Sequence, residues 1–232
     1  MSRRMDLLRL DYTFSVLVPI LLAIFINDLN PFNHFDIILG FLFLAITGNT
    51  WNDVIDMKDP EEIETLERVE GYHPREIFTI GLTSFVLGFT LLMRTAIQHP
   101  MNGVLLAIII IMVLVYCKWL KPVPIINQVL LGISHIVLPY FMIKIDAGLS
   151  LMALEEWLLM IMFLAFAVTG QIVHEVIDGD AIRKHLSLRQ CQIVIWISSS
   201  ITLVAAFWIF SIYPEDYKYY FIPFLLFPLG TL

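Results

Sequence analysis

Residues 35–60 read FDIILGFLFLAITGNTWNDVIDMKDP. The first half is apolar enough to sit in lipid. The second half crowds Asn52, Asp53, Asp56 and Asp59 together. Acids at a helix C-terminus face the negative end of the helix dipole, which is unfavourable. They are therefore not placed for helix stability. The stretch specifies a membrane helix that ends in carboxylates, and the rest of the chain repeats that design.

The chain has 232 residues, 59% hydrophobic and 15% charged, with a mean hydropathy of +0.81. Soluble domains run at roughly 45–50% apolar and about 25% charged. The composition is that of an integral membrane protein folded as one domain, 1–232. The net charge of −7 is no nucleic-acid footprint, because such surfaces are basic. Cys117 and Cys191 make no disulfide framework and are expected as buried thiols. The N-terminal MSRRMDLLRLDYTF is basic, but no small-residue cleavage site follows the first apolar run. That run is read as a retained helix.

A helix needs roughly 20 apolar residues to cross the bilayer. Candidates lie near 11–28, 35–52, 77–95, 103–120, 124–145, 151–176 and 191–212, with a short one at 219–232. The expected fold is an all-α, multi-pass transmembrane bundle around a central cavity. Its halves, about 1–122 and 123–232, form a weak four-plus-four repeat. Lys and Arg set the orientation. With the N-terminus inside, Arg3, Arg4, Arg9, Lys58, Arg68, Arg75, Lys118, Lys121, Arg183, Lys184 and Arg189 are cytoplasmic. Arg94, Lys144 and Lys218 fall outside.

A second acidic stretch, GQIVHEVIDGDAIRKH (170–185), carries His174, Glu175, Asp178 and Asp180. Like the first, it closes the second helix of its half and lies on the cytoplasmic side. Residues three or four apart share a helix face. That aligns Asn52, Asp56 and Asp59, and likewise Glu175 with Asp178. Carboxylate faces opposed across a cavity would repel, and a divalent cation removes the difficulty. All-oxygen ligands suit Mg²⁺, which bridges to substrate phosphates. Asp178 and Asp180 are two apart, so a continuous helix would point them about 200° from each other. The helix is therefore expected to end at or just after Asp178, with Gly179 starting a turn and IRKH following as a loop or short helix. A third stretch, YCKWLKPVPIINQVLLG (116–132), brings Lys118 and Lys121 to the same side.

Together these stretches resemble the UbiA superfamily of intramembrane prenyltransferases. NDVIDMKD matches the family's first acidic motif through Asn52, Asp53 and Asp56, with Asp59 one position early. HEVIDGDAIRK is similar to a shortened second motif, and 116–132 to the Tyr…Leu-Lys…Pro…Asn…Gly stretch that follows the fourth helix. RLDYTFSVLVPILLAI looks like the first helix, with Arg9 and Pro19. The family usually has nine helices, one more than expected here.

The resemblance implies a polyprenyl diphosphate substrate, Mg²⁺, and a small hydrophobic or aromatic acceptor within the lipid bilayer. It implies Asp56, Asp178 and Asp53 as catalytic residues. The metal ligands would be Asn52, Asp56, Asp59, Glu175, Asp178 and Asp180. Lys121, Arg68, Arg183, Lys184 and Arg9 would bind the diphosphate. Aromatics such as Phe35, Trp51, Tyr116 or Tyr140 could shield a carbocation. Two other functions fit the same residues: a terpene cyclase, which needs no acceptor, and a non-catalytic transporter or scaffold.

Overall fold

The computed structural model of the chain describes residues 6–60, 62–150, 154–178, 181–212 and 222–231, with the backbone alone at Asp6, Asp11, Tyr12, Leu154, Glu155, Asp178, Ala181, Lys184, Pro223 and Phe227. Every regular element among them is helical. In chain order they are α1 (Leu10–Ile26), α2 (Phe35–Asp56), α3 (Ile63–Arg68), α4 (Pro74–Gln98), α5 (Pro100–Val115), α6 (Ile126–Gly132), α7 (Leu138–Asp146), α8 (Leu154–Asp178), α9 (Ala181–His185), α10 (Leu188–Ile212) and α11 (Ile222–Thr231). One π-helical turn, Tyr116–Leu120, extends α5, and another, Ile133–Val137, joins α6 to α7.

Among the described residues, six stretches are long and apolar enough to cross a membrane: Pro31–Asp56, Pro74–Gln98, Pro100–Leu120, Ile126–Asp146, Glu156–Ile177 and Leu188–Ile212. The chain is a multi-pass integral membrane protein. Its surface agrees. Val104, Ile108, Ile111 and Leu114 form an exposed apolar stripe on α5, and Ile193, Ile197, Ile201, Val204 and Trp208 form one on α10. Such stripes would drive aggregation in water and are ordinary contact with acyl chains.

Helix starts follow local chemistry. Pro74 opens α4 behind a reciprocal cap, in which His73 Nδ1 accepts from the Arg75 N–H and Glu76 accepts from the His73 N–H. Ser187 and Gln190 form the equivalent cap on α10.

The chain forms two compact units, one comprising 1–118 and 138–150, the other 119–137 and 151–232. The units divide the chain differently from a cut near residue 122, because α7 packs within the first. In the first unit α2 lies along α4, and α7 packs on α1 and α5. Asn102 is fully buried there and donates to Thr95 Oγ1 and to the Met142 carbonyl. Lys144 Nζ donates to Asn27 Oδ1, and His34 meets Asp146 at 2.6 Å. These bonds tie α7 to the first unit. In the second unit α8 packs against α10 and α6, and α10 against α11. Thr169 and Thr202 bond across α8 and α10 at 2.8 Å.

Of the thiols expected to be buried, Cys191 is buried and Cys117 is only half-buried.

Candidate active site

The first acidic stretch lies in the first unit. α2 ends at Asp56, where the Met57, Lys58 and Asp59 N–H groups turn back onto the Asp53, Ile55 and Asp56 carbonyls. Asn52 Nδ2 donates to Asp56 Oδ2 at 2.6 Å, the i, i+4 contact that helical geometry dictates. Asn52 Oδ1 is buried and accepts no hydrogen bond among the described residues. Asp59 departs from the expected alignment. It lies past the end of α2, in an exposed turn, so helical spacing no longer places it on the Asn52–Asp56 face.

Asp53 is fully buried and faces cations. Arg68 Nη2 donates to its Oδ1 at 2.8 Å, and Arg9 Nη1 stands 3.8 Å from the same oxygen. Arg68 Nη2 also donates to Thr65 Oγ1. α3 thus presents Arg68 to α2 with its guanidinium already oriented. Asp53 is placed to hold two of the cations expected at the diphosphate. Trp51 stacks on Phe78 at 5.8 Å and lies 5.6 Å from Phe85, a packing arrangement between α2 and α4.

The second stretch lies in the second unit. The described part of α8 runs to Asp178, and AIRKH forms the short helix α9, while the turn expected at Gly179 falls on undescribed residues. Gly179 and Asp180, and the side chains of Asp178 and Lys184, lie outside the described residues. Glu175 is buried, and both of its oxygens accept bonds. Oε1 takes one from Asn127 Nδ2 at 2.6 Å, and Oε2 takes one from the Ile182 N–H at 3.2 Å. Arg183 is exposed and donates to the Leu186 carbonyl. Lys121 is half-buried, and its carbonyl accepts from Asn127 Nδ2 at 3.0 Å. Asn127 is the Asn of the third stretch's resemblance, which gives it no role; its tertiary partners reveal what it does.

Among the described residues no three His, Cys, Asp or Glu side chains converge on one point. The donor chemistry nevertheless fits a hard cation at the end of α2. A buried amide oxygen with no donor stands beside a carboxylate. Leaving such an acceptor unpaired costs about 1–3 kcal/mol, and an oxygen-seeking divalent ion relieves that cost.

The UbiA prenyltransferase family model matches residues 16–232. No curated protein and no solved structure matches the chain.

Proposed function

The chain belongs to the UbiA prenyltransferase family, and from that premise we propose that it moves a polyprenyl group from a polyprenyl diphosphate to a small hydrophobic or aromatic acceptor. Family membership implies prenyltransferase-type activity. The single observation that carries the finer reading is the orphaned Asn52 Oδ1 beside Asp56.

In the first unit Mg²⁺ would be held by Asn52 Oδ1 and the Asp56 carboxylate; Asp178 and Asp180, the candidate ligands of the second stretch, lie outside the described side chains. When bound, the ion neutralises charge on diphosphate oxygens. The chain's own cations supply the remaining compensation. Arg68 is oriented by Asp53 and Thr65 before any ligand arrives. Such preorganised donors cost no reorganisation when negative charge develops. Arg9 stands beside the same Asp53, and Lys121, Arg183 and Lys184 are the candidate diphosphate cations of the second unit. In the reaction the allylic C–O bond breaks, and the diphosphate leaves with the electron pair. A nucleophilic atom of the acceptor bonds to the allylic carbon and loses its proton.

The test incubates the purified protein with labelled prenyl diphosphates of several lengths and Mg²⁺, alone and with a panel of acceptors. Product formed only with an acceptor is expected. Product without acceptor means cyclisation. Diphosphate binding without turnover means a non-catalytic member of the family.

A further inference from the structure

Spacing alone groups Glu175 with the metal ligands, but its surroundings assign it different work. Glu175 is 4% exposed, and each carboxylate oxygen accepts a hydrogen bond from a different segment. One donor is the Ile182 N–H in the first turn of α9, among the groups that a helix leaves without an internal partner. A helix as short as α9 (Ala181–His185) does not hold itself together in isolation. The other donor is Asn127 Nδ2.

Asn127 is 1% exposed. Its Nδ2 donates both to Glu175 and to the Lys121 carbonyl, and its Oδ1 accepts from the Gln128 N–H at 2.7 Å. A primary amide has two hydrogens, and these two bonds direct both, so the group cannot turn over without breaking three contacts. Between Lys121 and Asn127 the backbone passes through Ile125 at φ 68 and ψ −48. A β-branched residue avoids this region and stays there only when its surroundings impose it. The Asn127–Lys121 bond closes that turn.

We infer that Glu175 and Asn127 are positioning residues: their junction holds Lys121 and α9, with its Arg183, in place for a diphosphate, and Glu175 is not a metal ligand. The inference rests on the proposed diphosphate chemistry for its purpose and on the hydrogen bonds for its geometry.

A charge swap separates positioning from ligation. In Glu175→Gln one oxygen is replaced by a donor, which must face either Asn127 Nδ2 or the Ile182 N–H. Asn127→Asp sets two carboxylates against each other. In the double variant Asn127→Asp/Glu175→Gln, the amide oxygen introduced at position 175 accepts from the Ile182 N–H. Its amide nitrogen donates to the carboxylate introduced at position 127. The Lys121 carbonyl then loses the bond from position 127.

The wild type, both single variants and the double variant are compared in detergent by two measurements. The first is amide hydrogen exchange at Ile182 without ligand, with the amides of α10 as the folding control. The second is calorimetric titration of inorganic diphosphate at a series of Mg²⁺ concentrations. Each single variant should break one side of the junction and bind diphosphate about tenfold more weakly or worse, with Ile182 protection lost wherever the Ile182 side is the one broken and the half-saturating Mg²⁺ concentration unchanged. The double variant should regain the protection and most of the affinity. A raised Mg²⁺ requirement in Glu175→Gln, unrescued by the double variant, overturns the inference and makes Glu175 a ligand. Unchanged Ile182 protection together with unchanged diphosphate affinity in Glu175→Gln also overturns it. Failure of the wild type to bind diphosphate would sink the proposed function, and the exchange results would then decide the junction by themselves.

Discussion

Asp53 and Asp56 stand one helical turn apart and do different work. Asp53 is fully buried against Arg68, with Arg9 at longer range. Removing one partner of a buried pair leaves an uncompensated charge, at a cost of about 3–5 kcal/mol. Asp53→Asn should therefore lower the thermal unfolding midpoint in detergent by several degrees and weaken diphosphate binding with it. Asp56 meets Asn52 Nδ2, and an asparagine at position 56 still offers an oxygen to that donor. Asp56→Asn should abolish Mg²⁺-dependent turnover while the metal-free midpoint holds or rises. Equal losses of stability in both variants would make Asp56 a structural acid. The sequence shows both residues in one motif. It does not show which faces the arginines, because Arg68 lies on a separate helix beyond a turn.

At the scale of elements, the first stretch depends on how closely α2 and α4 approach. A Cβ built on Gly88 would stand 2.8 Å from the Gly40 carbonyl oxygen, and one on Gly81 would stand 2.5 Å from Thr50 Oγ1 and from the Trp51 ring. The first obstacle is backbone, which cannot rotate away. Gly88→Ala should push the helices apart and destabilise the protein by about 1–3 kcal/mol, read as a lower unfolding midpoint in detergent. Gly170→Ala, at a position where a Cβ meets nothing within 4 Å, is the control and should leave the midpoint in place. The turn expected at Gly179 lies outside the described residues, while the short helix after it was legible from the two-residue spacing of the acids. The end of α2 was not, since continued helical spacing would have kept Asp59 on the Asn52 face. Backbone turns onto Asp53, Ile55 and Asp56 stop the helix first.

For the whole molecule, the distribution of Lys and Arg predicts that the loops around 58–75, 118–123 and 180–189 are all cytoplasmic. With Cys117 and Cys191 replaced by serine, single cysteines substituted for Lys58 and Arg183 should react with a membrane-impermeant reagent only after the cytoplasmic face is opened. Labelling of either from outside intact cells would separate the acidic stretches from a cytosolic pool of diphosphates.

Hydropathy and motif spacing sufficed for the helical membrane class, the family and six of the eight expected spans among the described residues, because lipid forces each crossing segment to be apolar and internally hydrogen-bonded. These are properties of contiguous residues. Tertiary structure decided what contiguous residues cannot encode. It assigned α7 to the first unit through Asn102, Lys144 and His34, gave Asp53 to Arg68, and joined Asn127 to Glu175. In each case a buried polar group must find a partner or bear the cost of desolvation, and the partner is chosen by packing between segments distant in sequence.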